Sequence, residues 1–115
     1  MNVLPALLLE VLLLSPPGAG GGDQPQVFVG TITDTECGAS HARMLARGGM
    51  GSTNASCTRA CVKKGATYGF LWGRSRRFYQ LDDQEKPAPF AGRRVRIIGR
   101  REKDTIFVQS IEPLQ

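Results

Sequence analysis

The sequence predicts a mainly β domain of five short strands, with one or two short helices between the first strand and the second. Three observations carry that expectation. Runs of β-branched and aromatic residues recur with the period-two alternation of half-buried strands. Clusters of glycine, proline and charged residues separate those runs. Hydrophobic residues make up 41% of the 115 positions and charged residues 22%, enough apolar surface for a core and too much for an intrinsically disordered chain.

The elements follow in order. Residues 27–33 (VFVGTIT) alternate and read as the first strand, with Gly30 marking a kink or bulge such as a barrel corner needs. Residues 34–56 form a long insertion rich in Gly, Ser and Ala, holding one short helix over 40–47 that Gly48 and Gly49 stop. A clearer helix is predicted over 57–64. Ser56 can accept an orphan backbone N–H as its N-cap, Lys63 and Lys64 complement the negative end of the dipole, and Gly65 supplies the left-handed residue after the last turn. The strand over 67–72 places Tyr68, Phe70 and Trp72 on one face. It turns at 73–75 into a hairpin partner over 76–81. Residues 82–91, with two prolines and four charges, are a connection. In the strand over 93–99, Val95 and Ile97 alternate with Arg94 and Arg96. Residues 100–104 turn into the last strand, 105–111. Closing five short strands into a barrel removes their exposed edges, and the count fits a small five-stranded OB-like barrel. The helix lies between strands one and two, however, where such barrels usually carry it between three and four.

Residues 3–14 (VLPALLLEVLLL) have the length and composition of a signal-peptide core, and Gly18 and Gly20 have the small-residue spacing of a cleavage site. Residues 1–22 are therefore expected to be a cleaved signal peptide, and 23–115 a single OB-like β-barrel domain. Loss of Glu10 leaves fifteen basic residues against nine acidic ones, a charge of +6. The expected location is periplasmic or secreted. No stretch reaches the roughly 18 charge-free apolar residues of a spanning helix, so no transmembrane segment is expected in the mature chain. Fourteen glycines without a period of three exclude collagen.

The chemistry-bearing residues are three cysteines and the single histidine, spaced Cys37-x3-His41-x15-Cys57-x3-Cys61. Each half is an i, i+4 pair, and on a helix such residues share a face about one turn apart. Two pairs can converge on one ion, and three thiolates with one imidazole are a known zinc set. Soft sulfurs also suit cuprous copper. The expected cofactor is zinc or copper, with Cys37, His41, Cys57 and Cys61 as ligands. The alternative is a disulfide, which an oxidising compartment favours. A bridge from Cys37 to Cys57 or to Cys61 would tie the exit of the first strand to the helix and leave one thiol over. There is no CxxCH for haem and no CxxC for thiol exchange. A Cys37–His41 nucleophile pair comes without an oxyanion motif, so a non-enzymatic protein is expected.

Basic residues cluster at two places, Arg74, Arg76 and Arg77 at one hairpin and Arg93, Arg94, Arg96, Arg100, Arg101 and Lys103 on the fourth strand and its turn, with Arg76, Arg77, Arg94 and Arg96 as the expected ligand residues. With the aromatic residues between them they offer a surface for an anionic envelope component, the alternative function to metal binding. Nucleic acid is not expected outside the cytoplasm. The plainer reading is a solvated face that keeps the strands soluble, with the period-two aromatics in the core.

The segments GTITDTECGASH at 30–41, CTRACVKKGATY at 57–68, FAGRRVRIIG at 90–99 and DTIFVQSI at 104–111 together resemble a family of small uncharacterised exported bacterial domains of OB-like β-barrel type. The resemblance implies a fold and an exported location, and it carries no activity.

Overall fold

The computed structural model describes residues 24–37 and 53–114. Its elements are β1 (Gln26–Asp34), α1 (Asn54–Lys63), β2 (Tyr68–Trp72), β3 (Arg77–Leu81), β4 (Arg94–Glu102) and β5 (Thr105–Pro113), with a 3-10 turn at Ala88–Phe90 between β3 and β4. The expected signal segment 1–22, the expected helix over 40–47 and His41 lie outside the described residues.

The expectation of a mainly β chain holds. β1 pairs antiparallel with β2 on one side and with β4 on the other. β2 pairs with β3, and β4 with β5. β3 and β5 then meet in a short parallel ladder, Gln80 with Thr105 and Leu81 with Ile106. The order β1-β2-β3-β5-β4 returns to β1, so the sheet closes on itself.

Alternation fills the interior. Phe28 and Ile32 from β1, Phe70 from β2, Tyr79 and Leu81 from β3, Val95 and Ile97 from β4 and Ile106 from β5 form one buried cluster with Tyr68 and Ala91. Each such side chain contributes roughly 1.5–3 kcal/mol by leaving water. Trp72 packs edge-on against Phe28 and Tyr79, with ring centroids 5.2 and 5.7 Å away. The period-two aromatics thus belong to the core, as expected.

Four expectations of detail are corrected. No bulge falls at Gly30: the ladder with β4 runs through it and the ladder with β2 begins at it. Gly30 is needed for close approach instead, because a Cβ there would collide with the Leu71 carbonyl and the Phe70 ring. The bulge falls at Ile98/Gly99 against β5. β4 runs on to Glu102 and turns at residues 103–104 rather than over 100–104, with Lys103 at φ 52°. Arg100 supports that extension by lying 4.3 Å over the Phe107 ring and pairing with Glu102 at 2.8 Å. Arg76 sits in the β2–β3 turn at φ 51° rather than in the strand. Finally, α1 starts three residues earlier than predicted. Thr53 is its N-cap, and Ser56 is the reciprocal member of a capping box: the Thr53 hydroxyl accepts from the Ser56 N–H at 3.0 Å, and the Ser56 hydroxyl accepts from the Thr53 N–H at 3.0 Å.

Candidate metal centre

The segment TDTEC after β1 is shaped by its own aspartate. Asp34 is fully buried, and its Oδ1 accepts the backbone N–H groups of Glu36 at 2.9 Å and Cys37 at 2.8 Å. This is the local turn that an aspartate makes with the backbone two and three residues on, and it turns Cys37 back under the chain. The turn is anchored to the far side of the helix. Thr35 donates its N–H to the Thr67 carbonyl at 3.0 Å, and Thr67 returns an N–H to the Thr35 hydroxyl at 3.2 Å.

α1 brings the other two sulfurs. Cys57 and Cys61 are one helical turn apart on its inward side, where the only other buried residue is Thr58. The helix is seated at Gly92. There φ is 74°, and a Cβ would strike the backbone of Ala55, so only glycine lets α1 approach this closely.

The three sulfurs meet. Cys37 Sγ is 3.2 Å from Cys57 Sγ and 3.3 Å from Cys61 Sγ, and all three lie within 4.8 Å of one another. Their residues are 7%, 0% and 2% exposed, with Ala60 and Ala66 packed against them. The predicted disulfide from Cys37 to Cys57 or Cys61 is not formed. All three thiols are free, and their separations exceed the ~2.05 Å of a sulfur–sulfur bond. Cys37 stands between two near-equidistant partners and can bond covalently to only one, whereas an ion at the centre can bond to all three.

Burial pushes the Cys37 thiol up, reinforced by hydrogen bonding to Cys57, Cys61 and the Asp34 carboxylate. Burial also raises Cys61, with the Asp34 charge adding to it and the Cys37 thiol opposing it. These two groups are neutral thiols near pH 7, and a metal that binds them must displace their protons. The donor set fits a soft or borderline cation. Zn–S bonds of ~2.3 Å in tetrahedral geometry separate sulfurs by roughly 3.8 Å, so the cluster has to open by about half an ångström.

Of the four ligands expected from sequence, Cys37, Cys57 and Cys61 come together. His41 lies outside the described residues. Asp34 was missed, although Asp-x-x-Cys directly after a strand carries the signature of an aspartate turn. Cys57 was expected at the very start of the helix, and the earlier N-cap places it a full turn inside.

Of the four arginines expected to form one surface, two are in exposed ion pairs. Arg77 pairs with Asp104 at 3.0 Å, and Arg96 with Glu112 at 3.5 Å. Arg76 and Arg94 line a cleft together with Arg74, the third arginine of the hairpin cluster.

Fold and site together define a small protein with a closed β-sheet and a buried three-cysteine group that could hold a metal ion. A family described as a protein of unknown function (DUF5818) matches residues 77–114, from β3 to the end of β5. All three cysteines fall outside that stretch. No curated protein and no solved structure matches the chain. No described helix is long and apolar enough to cross a membrane.

Proposed function

We propose that the chain is an exported, non-enzymatic OB-like β-barrel in which Cys37, Cys57 and Cys61 hold a transition metal, zinc or cuprous copper. The metal's role is structural or one of metal handling. The observation that carries this reading is the convergence of three buried sulfurs from sequence positions 20 and 24 residues apart. The strand order of the closed sheet supports the OB-like assignment. Burial supports a non-enzymatic role, because a thiolate that attacks a substrate is exposed in an electropositive setting. His41, four residues beyond Cys37, is the proposed fourth ligand, and the unpaired third thiol that a disulfide would leave behind favours the metal over the staple.

The test is elemental analysis and thiol counting on the protein purified from its native compartment. The expected result is equimolar metal, with three thiols that react only after chelation and denaturation. Replacing any one of the three cysteines by serine should remove the metal, while His41→Ala should weaken its retention. Metal-free protein that also takes up neither zinc nor cuprous copper on titration would overturn the reading.

A further inference from the structure

A cleft of about 620 Å³ lies against β1 and β2, lined by Val29, Gly30, Thr31, Leu71 and Gly73 and by three arginines, Arg74, Arg76 and Arg94. Its volume is within the range of small-molecule sites, roughly 300–1,000 Å³. Three features set it apart from an ordinary solvated basic face. First, the arginines come from two separate places in the chain. Arg74 and Arg76 belong to the β2–β3 turn, and Arg94 opens β4 and pairs in register with Thr31 of β1. Second, other arginines of these strands are committed elsewhere, Arg77 to Asp104, Arg96 to Glu112 and Arg100 to Glu102. Arg74 and Arg94 have no carboxylate partner among the described residues. Third, the turn that supplies Arg74 and Arg76 carries left-handed conformations at both ends, Gly73 at φ 55° and Arg76 at φ 51°. The second of these is uncommon for a long side chain and marks a backbone held in place by its surroundings.

We infer that this cleft binds a small molecule carrying two adjoining phosphate groups. A guanidinium is always charged and presents a planar fork of donors. A carboxylate has two oxygens and satisfies one fork, whereas a pyrophosphate offers one phosphate to each of the two guanidiniums without a carboxylate partner, Arg74 and Arg94. The half-buried Val29 gives the cleft an apolar patch on which the uncharged part of the ligand can rest. This site is independent of the metal centre, because none of its lining residues belongs to the thiol cluster.

The experiment is a titration of the full chain with inorganic pyrophosphate at low salt, followed by amide chemical shifts. Saturable shifts are expected at residues 29–31, 73–76 and 94, weakening as salt rises. Arg94→Gln and Arg74→Gln should each weaken binding by at least about tenfold, the loss of a charge-assisted hydrogen-bond pair. Arg100→Gln, remote from the cleft, should leave binding unchanged. Arg74 and Arg94 are exposed, so thermal unfolding of each variant should match the unsubstituted protein. The inference is overturned by unsaturable binding, by equal losses in Arg94→Gln and Arg100→Gln, or by a single-stranded oligonucleotide binding where pyrophosphate does not. Shifts confined to residues 34–37 and 57–61 would mean that pyrophosphate had gone to the metal centre, and would overturn it as well.

Discussion

Replacing Cys61 by alanine separates what the metal contributes from what the cysteine contributes as a small apolar side chain. With a chelator present, the substitution removes one buried sulfur next to Ala60 and Ala66 and should cost about 1–2 kcal/mol, as small core truncations do. With zinc present, the loss is larger. Zinc at about a hundredfold over its dissociation constant stabilises the native state by about 2.7 kcal/mol. The chain-entropy argument gives a similar figure, since Cys37 and Cys57 are 20 residues apart and a cross-link over that length removes about 3 kcal/mol from the unfolded state. For a domain this small, one kcal/mol moves the midpoint by about 4–8 °C, so zinc should raise the melting temperature by about 10–20 °C. The assay is thermal unfolding by circular dichroism, with and without zinc, for the unsubstituted chain and Cys61→Ala. Most of the zinc-dependent rise should vanish in the variant, while its melting temperature in chelator falls only modestly. A melting temperature of the unsubstituted chain that ignores saturating zinc would refute the reasoning, and so would a variant that keeps the whole rise.

Three further outcomes follow from particular contacts. The Gln84 side chain acts as a strand partner for Tyr68, accepting its N–H and donating to its carbonyl at 3.0 Å, with a second bond to the Leu81 carbonyl at 3.2 Å. Gln84→Ala should therefore cost about 1–3 kcal/mol in urea unfolding, because part-buried backbone groups lose their partners. Gly92→Ala should cost about 1–3 kcal/mol and also weaken zinc binding, because φ is 74° there and the added Cβ meets α1 at Ala55; zinc affinity unchanged by this substitution would contradict the seating of the helix. The Lys86 ammonium, bonded to Asp83 at 2.8 Å, together with the Lys86 and Glu85 N–H groups, holds the Asp83 carboxyl down at about 2 from 3.8. A depressed folded-state value stabilises above the unfolded value and is lost as pH falls through the folded one. The stability gap between the unsubstituted chain and Asp83→Asn should thus close between pH 3.8 and about 2, read from urea midpoints at a series of pH values.

The strands were legible because alternation survives wherever one face is wet, as at Val95 and Ile97 between Arg94 and Arg96. β2 was legible through the period-two aromatics Tyr68, Phe70 and Trp72, but its cover on both faces was not, since Gly69 and Leu71 between them are buried as well. Ion pairs were not legible because they depend on register. Arg96 meets Glu112 across β4 and β5, in a ladder that shifts by one residue at Gly99, and no local pattern announces that shift. Arg77 reaches Asp104 across 27 residues for the same reason. The sulfur cluster was legible as two i, i+4 pairs, but the aspartate turn that delivers Cys37 was not. The 57–61 pair does lie on a helix, but Cys37 is delivered by the Asp34 turn at the end of β1 rather than by a helix of its own.

The helix itself argues for a structural metal. α1 has ten residues and buries only Cys57, Thr58 and Cys61, while Val62 reaches the main core only as a partly buried neighbour. An isolated helix of that length is marginal in water, and one that docks on a sheet usually does so through a stripe of large aliphatic side chains. Here sulfurs occupy that stripe. As neutral thiols they behave as small hydrophobes, whereas an ion joining them to Cys37 would supply apparent binding energy of about 10–16 kcal/mol, the range of structural zinc sites. The two helix positions that would otherwise carry leucines thus hold sulfurs that would gain most from a shared cation, and the third sulfur is already placed beside them by the Asp34 turn at the end of β1.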